Sequence, residues 1–194
     1  AADYRRYVNN LDNKIELVVE NEDITAGSFA TIGAAANWID SISSSTINFP
    51  IPKIIRIRGN YIYDVSNLGS TTLPDGVTII GDGDGDNSTY GSRIYVTNNT
   101  AGTSVLIPQD NCTIKNIAFE AAASSTNMSN GFIGGATIDV QNLRVEGCSF
   151  YAPAATANIL GIVVDDFYGL RINDCKFTNM GTAISNNGSG SGGA

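Results

Sequence analysis

The stretch Leu143-Arg144-Val145-Glu146-Gly147 reads apolar, polar, apolar, variable and then a residue that tolerates a left-handed backbone. Four other segments follow the same order, namely Ile55-Arg56-Ile57-Arg58-Gly59, Val77-Thr78-Ile79-Ile80-Gly81, Cys112-Thr113-Ile114-Lys115-Asn116 and Leu170-Arg171-Ile172-Asn173-Asp174. Alternation with a period of two places the first and third residues on one face of a strand. Gly, Asn and Asp adopt positive φ at little cost, so we expect a sharp corner at each fifth position.

The five segments are separated by loops of changing length, since they start at positions 55, 77, 112, 143 and 170. A short unit of this kind cannot bury its apolar face alone and must stack on its neighbours. After the corner, the last three copies enter a second apolar alternation in which Phe119, Phe150 and Phe177 recur at the same step. The pattern predicts an all-β fold, a right-handed parallel β-helix of about five coils. A β-sandwich or jelly roll is the alternative, although its strands would share no column of corner residues.

The chain divides into three parts. Residues 1–28 mix apolar and charged residues and predict a short helical lead followed by a strand, outside the repeats. From Phe29 the apolar residues recur at helical spacing, with Ser28 or Thr31 as N-cap, which predicts a helix over about 30–43 that caps the first coil. The β-helix domain is expected over 29–185, and 186–194 is a Gly/Ser-rich tail of the flexible type. The far end lacks a cap, so we expect either a continuing chain or a homotrimer to shield it.

Composition excludes several classes of function. The net charge of −8 and the low share of charged residues, 15%, argue against nucleic acid as a partner, which needs clustered Lys and Arg. No apolar run approaches the length of a membrane span. The chain contains no histidine, which removes Ser-His-Asp and Cys-His mechanisms and histidine metal sites. Catalysis would have to rest on carboxylates, Arg, Lys or a bound cation.

Asp82, Asp84 and Asp86 alternate with glycine in a loop, a spacing that suits calcium. An EF-hand would have glycine at the sixth position and glutamate at the twelfth, where this chain has Asn87 and Arg93. The loop is therefore either a solvated acidic turn or a calcium site outside the EF-hand class. No other cofactor is expected.

A second candidate site combines carboxylates and arginines. Asp165 and Asp166 follow an apolar run, and Arg171 is expected one coil above Arg144 in the same outward column as Thr113. Such a face can bind sugars or transfer protons, or it can be a solvated ladder of surface residues.

Aromatic residues next to the insertions are candidate ligand contacts, because sugar rings stack on aromatic rings and loops on a rigid scaffold are the usual place for recognition. Tyr151 and Tyr168 are the two predicted here. Half-buried strand positions are the alternative role for both tyrosines.

Three cysteines are too few for a disulfide framework. Cys148 and Cys175 share one inward position on successive coils, close enough in principle for a bridge. Two free thiols stacked above Ile117 are the favoured interpretation, and Cys112 is expected to be free in another column.

Three stretches carry a resemblance to a known superfamily. Phe29–Asp40, Ile54–Tyr61 and the run Leu73-Pro74-Asp75-Gly76-Val77-Thr78-Ile79-Ile80-Gly81-Asp82-Gly83 resemble the opening of pectin-lyase-like proteins, in which a capping helix leads into the first coils. Pectinesterases, pectate lyases, polygalacturonases and viral tailspikes share such an opening. Asp165-Asp166 matches the Asp-Asp pair of polygalacturonases, but their Gly-His motif is absent and Arg171-Ile172-Asn173 departs from their Arg-Ile-Lys.

These observations predict a structural or recognition module, closest in character to a phage tailspike or fibre, or to another virion or cell-surface protein. It would present loops to a glycan or a surface receptor, outside the cell or on a virion. The alternative is a fragment of a polysaccharide lyase or hydrolase that acts on acidic glycans through Asp165, Asp166, Arg144 and Arg171. The missing motifs favour the non-catalytic interpretation.

Overall fold

The computed structural model of the chain describes residues 8–9, 14–19, 29–43, 52–83, 91–98, 102–123, 127–134, 139–165 and 167–186. Asp84, Asp86 and Asp166, most of the predicted lead segment and residues 187–194 of the predicted tail lie outside these ranges.

The described residues form short strands and two helices. They are β1 (Val8–Asn9), β2 (Lys14–Val19), α1 (Ile32–Ser43), β3 (Lys53–Ile57), β4 (Asn60–Asp64), α2 (Val65–Leu68), β5 (Thr71–Leu73), β6 (Val77–Gly81), β7 (Arg93–Thr97), β8 (Leu106–Pro108), β9 (Thr113–Lys115), β10 (Ala118–Ala121), β11 (Ile133–Gly134), β12 (Val140–Gln141), β13 (Arg144–Glu146), β14 (Ser149–Val164), β15 (Phe167–Tyr168), β16 (Arg171–Asn173) and β17 (Lys176–Asn186).

The first sheet contains the predicted column. Its strand order is β1-β2-β3-β6-β9-β13-β16, and every neighbouring pair is parallel except β1 with β2. One inward position is in register through six strands, at Leu17, Ile55, Ile79, Ile114, Val145 and Ile172. All of these side chains except Ile172 are fully buried. The protein is therefore a solenoid-like stack of parallel strands in which burial of this face holds the coils together.

Strand β2 belongs to the same stack. Leu17 pairs with Ile55 and Val19 with Ile57, so the segment that the sequence places outside the repeats extends the sheet by one strand. The predicted strand is present there, and it pairs directly with β3.

The register between the first two predicted segments differs from the alignment of their sequences. Ile55 pairs with Ile79, and Val77 pairs with Lys53, which is a shift of two residues. The corner after β6 falls accordingly at Gly83, which has φ of 94°.

Four of the five predicted corners have the expected backbone. Gly59, Asn116, Gly147 and Asp174 have φ of 62°, 57°, 58° and 52°. The prediction at Gly81 was wrong, because Gly81 lies inside β6 and has no positive φ. Its lack of a side chain matters for another reason: a Cβ there would collide with the carbonyl oxygen of Asn116.

The second sheet curls around the core. Its order is β4-β7-β10-β14-β11-β8-β5, with β17 paired to β14. β14 occupies two positions in this sheet, since Phe150 pairs with Phe119 of β10 and Ile162 pairs with Ile133 of β11. Phe177 continues the register, so the predicted phenylalanine column is confirmed.

The helix predicted before the first coil is α1. The Thr31 hydroxyl accepts a hydrogen bond from the Ala34 N–H at 3.0 Å, the pattern of an N-cap. The apolar residues at helical spacing are buried in the common core, at Ile32, Ala35, Ala36 and Ile39. The helix contacts β2, β3 and β5 and thus covers the core where the first strands of both sheets meet.

Candidate ligand-binding groove

A second column of corners lies just before the strands of the first sheet. Gly76, Asn111, Asn142 and Gly169 have φ of 72°, 60°, 55° and 79°. Successive corners are joined by backbone hydrogen bonds, from Gly76 N–H to Asp110 O at 2.9 Å, from Asn111 N–H to Gln141 O at 2.7 Å and from Asn142 N–H to Tyr168 O at 2.7 Å. These bonds fix the turns one above another.

Side chains reinforce this corner. The Asn111 amide donates to Asp75 Oδ1 at 3.0 Å, and the Asn142 amide donates to Asn111 Oδ1 at 3.1 Å. The Gln141 N–H donates to Asp110 Oδ1 at 2.8 Å. Because both the backbone and the carboxylate of Asp110 are held, the functional groups at this corner are positioned before any ligand arrives.

A groove of about 480 Å³ opens beside the corner. Strands β5 and β8 and the turns that follow them contribute Thr72, Asp75, Ile107, Pro108, Gln109 and Asp110 to its lining, and Asp139, the residue before β12, completes it. Its polar groups are carboxylates that accept hydrogen bonds and a hydroxyl and an amide that can also donate. Three carboxylates in one groove disfavour anionic ligands and favour ligands rich in hydrogen-bond donors.

Tyr168 lies along the same corner. Its backbone pairs with Gln141, and the Gln141 N–H donates to Asp110 Oδ1, so Tyr168 is two strand steps from Asp110, about 10 Å at the spacing of paired strands. The Tyr168 side chain is 78% exposed, the largest exposure among the described large hydrophobic residues. An exposed aromatic face near hydrogen-bond acceptors is an arrangement that can hold a sugar ring.

The other predicted ligand residue, Tyr151, is on the second sheet. It is half-buried, and its backbone pairs with Glu120 on one side and Thr178 on the other. The two predicted tyrosines therefore do not share one sheet.

The predicted arginine ladder is present. Arg144 pairs with Arg171 and with Thr113, and both arginine side chains are exposed. Asp165 is half-buried directly after β14, and its predicted partner Asp166 lies outside the described residues. Neither arginine is among the residues that line the groove.

Asp82, the first residue of the predicted calcium loop, is part of an ion-pair network. Arg56 donates from Nη1 to Asp82 Oδ1 at 2.9 Å and from Nε to Glu16 Oε1 at 2.5 Å. Arg58 Nε lies 3.9 Å from Asp82 Oδ2. A cation at this carboxylate would have to compete with the arginines, and the remaining predicted ligands, Asp84 and Asp86, lie outside the described residues. Within the described ranges, no three His, Cys, Asp or Glu residues are grouped as metal ligands.

The same network predicts an acid-sensitive contribution to stability. The hydrogen bond from Arg56 is the main cause that holds the pKa of Glu16 below its ordinary value of 4.5, and Lys14 adds to it. A depressed folded-state pKa contributes stability above the ordinary pKa, and this contribution is lost as the pH falls through the folded pKa. We expect Arg56→Gln to destabilise the protein by about 1 kcal/mol at pH 7 and by less at pH 3.

Urea unfolding at the two pH values measures this difference. Arg58→Gln is the matched control, because it removes a more exposed guanidinium, at 53% side-chain exposure, that lies 3.9 Å from Asp82. An Arg56→Gln penalty that stays constant from pH 7 to pH 3 would contradict the role of Glu16.

The sequence analysis did not identify the groove residues, although the sequence contains a pattern that marks their corner. Four of the column segments begin at Val77, Cys112, Leu143 and Leu170. Two positions before these starts stand, in order, Asp75, Asp110, Gln141 and Tyr168. Each is followed by Gly or Asn, and Asp-Gly and similar pairs mark turns. Aligning these pairs would have placed all four side chains at one corner.

Comparison with known proteins finds no family model, no curated protein and no solved structure that matches the chain. Among the described residues, no helix has the length and apolar character needed to cross a membrane.

Proposed function

We propose that the chain is a recognition module that binds a neutral or amino-group-bearing glycan at the corner formed by the groove and Tyr168. The observation that carries the proposal is the groove with three carboxylates, one of which, Asp110, is two strand steps from a largely exposed tyrosine on the same corner. Sugar hydroxyls and amino groups donate to carboxylates, and the apolar face of a sugar ring packs on an aromatic ring. Anionic sugars would meet repulsion from Asp75, Asp110 and Asp139.

The scaffold of this module is proposed to be a right-handed parallel β-helix of the pectin-lyase-like type, with about five coils and a helical cap. The in-register parallel strands, the two columns of left-handed corners and α1 support this interpretation. A rigid stack of this kind holds side chains from different coils at a fixed spacing, which suits recognition of a repeating polymer.

A role in a virion spike, fibre or cell-surface protein, outside the cell, is part of the same proposal. The last coil supports this part of the proposal, because its apolar residues continue the buried columns but are themselves only partly buried. They are Leu170, Ile172, Cys175, Phe177 and Met180. An open edge with these side chains would be covered by assembly, with a homotrimer as the proposed form, or by further chain.

Titration calorimetry with neutral, amino-group-bearing and acidic oligosaccharides tests the binding proposal. We expect Tyr168→Ala to weaken binding roughly tenfold, about 1.4 kcal/mol, and Asp139→Asn to weaken it several-fold. Asp139 is chosen because it is exposed, so the change should leave the fold intact. The control is Ile62→Ala, which removes a side chain that is 48% exposed on β4 of the second sheet.

Unchanged affinity in both Tyr168→Ala and Asp139→Asn, or binding confined to acidic oligosaccharides, would reject the proposal. Light scattering on the same samples reports assembly: the mass of three chains supports the trimer, and the mass of one chain contradicts it.

A lyase or hydrolase that acts on acidic glycans is the second candidate. The observation that favours it is the register of Arg144 with Arg171, which places two exposed guanidinium-bearing residues on adjacent strands, a suitable pair for carboxylated sugars. Depolymerisation of the acidic substrates that is lost in Asp166→Asn would support this function and reject the non-catalytic one.

A further inference from the structure

Two cysteines occupy one inward position on successive coils. The position follows the corner that leads into the second sheet and is occupied by Ser92, Ile117, Cys148 and Cys175 in turn. Backbone hydrogen bonds fix this order, since Ala118 N–H donates to Ser92 O at 3.0 Å, Ser149 N–H to Ile117 O at 3.1 Å and Lys176 N–H to Cys148 O at 2.9 Å. Cys148 and Cys175 are therefore direct neighbours in the stack.

The surroundings of the two thiols repeat from one coil to the next. Cys148 Sγ lies 3.4 Å from Glu146 O and 3.7 Å from Ile114 O, and Cys175 Sγ lies 3.3 Å from Asn173 O and 3.5 Å from Val145 O. These carbonyl groups belong to residues that pair in register. Adjacent strands are about 4.8 Å apart, within the separation of Cα atoms that a disulfide spans. Both thiols are free.

The pair is chemically asymmetric. Cys148 is buried, whereas Cys175 is partly exposed on the last coil. The neighbouring Cys148 thiol is the main cause that lowers the pKa of Cys175 to about 7, while Cys175 and burial raise the pKa of Cys148. Cys175 is thus the accessible, thiolate-forming member, and Cys148 is the adjacent thiol that can react with it.

We propose that Cys148 and Cys175 form a reversible disulfide between neighbouring coils when the protein meets a hydroperoxide. The Cys175 thiolate attacks the O–O bond and takes one oxygen, and the alkoxide or hydroxide that leaves is protonated to an alcohol or water. The Cys148 sulfur then attacks the sulfenic acid; the S–O bond breaks, the S–S bond forms, and the thiol proton leaves with the hydroxyl group as water. The thiols lose two electrons in total and the peroxide gains them. A dithiol reductant reverses the bond.

The proposal predicts that oxidation is confined to this pair. Cys112 is fully buried in a different column, and burial raises its pKa to about 11. It should stay reduced under conditions that oxidise the pair.

Intact mass spectrometry of the folded protein, treated with hydrogen peroxide and then with an alkylating agent in denaturant, tests the proposal. We expect a loss of about 2 Da before alkylation, one alkylated cysteine at Cys112, and a proteolytic fragment that joins Cys148 to Cys175 and separates on reduction. Cys112→Ser should show the same loss. Cys175→Ser, at a partly exposed position, should abolish the loss of mass and leave Cys148 reduced.

Three results would overturn the proposal. The first is a gain of about 16 or 32 Da at Cys175 while Cys148 is still alkylated, which would show that the thiols do not reach each other. The second is a linked fragment that contains Cys112. The third is a pair that stays reduced in the folded protein and oxidises only in denaturant.

Discussion

Gly81→Ala is expected to destabilise the protein by about 3 kcal/mol, although Gly81 lies in a strand with ordinary backbone angles. A Cβ at this site would collide with the Asn116 carbonyl oxygen and lie 2.8 Å from the Cβ of Ser92. Ser92 is fully buried and cannot move away, because its hydroxyl donates a hydrogen bond to Ile57 O at 2.6 Å and accepts one from Asp82 N–H at 2.7 Å. The neighbouring coil would have to shift, and the in-register ladder with it.

Gly59 provides the matched control. It has φ of 62°, but no atom lies within 4 Å of a Cβ placed there. Gly59→Ala should therefore cost only about 1 kcal/mol, the penalty for a left-handed alanine, and Gly59→Asn less, since Asn116 adopts the same conformation two corners further along. Guanidinium unfolding of the variants measures the difference. A larger loss for Gly59→Ala than for Gly81→Ala would show that backbone angle, and not close approach, decides the role of these glycines.

The two glycines show which part of the fold a sequence pattern can predict. Alternating apolar residues and a left-handed residue after them are local features, and they correctly predicted the inward column and the corners at Asn116, Gly147 and Asp174. The pairing of Ile55 with Ile79 is set by how two coils fit around the same core, and both candidate registers bury apolar residues. The sequence pattern could not distinguish the two registers. It therefore predicted that Gly81 is needed for a left-handed corner, whereas the structure shows that it is needed for the close approach of Asn116 O.

Strand β2 was misplaced for a related reason. Its residues Leu17 and Val19 fit the inward column, but Val18 stands where the other segments have a polar residue. The segment therefore lacks the apolar–polar alternation of the repeats and was placed outside them. Its position became evident only from the pairing with β3.

The candidate site was less predictable than the fold. Tyr168 was selected for its aromatic ring, and the structure shows that this residue is exposed. The groove depends on the width between the turns after β5 and β8, and on Asp139, which is distant in sequence from Asp75. Such a concavity arises from loops of different length that meet at one corner, and single-residue patterns do not encode it.

Phe150→Ala is expected to cost about 4 kcal/mol, the other large effect. Phe150 is fully buried, with the ring of Phe119 5.1 Å away on one side and the ring of Phe177 4.8 Å away on the other, both nearly parallel to it. Truncation removes two stacking contacts and leaves a cavity beside Phe132, whose ring lies 6.0 Å away. Phe150→Leu should cost less, because it keeps most of the apolar volume.

Phe177→Ala is the informative comparison, because Phe177 continues the same column but is only partly buried. In the isolated chain it should cost about 2 kcal/mol, since water already reaches one side of the ring. Guanidinium unfolding over a range of protein concentrations measures both variants. If the cost of Phe177→Ala rises towards that of Phe150→Ala as concentration increases, a second chain covers the last coil, as the proposed assembly requires. If Phe177→Ala costs about 2 kcal/mol at every protein concentration, no second chain covers the last coil. Assembly would bury the Phe177 ring and so increase the stability that the wild-type residue contributes.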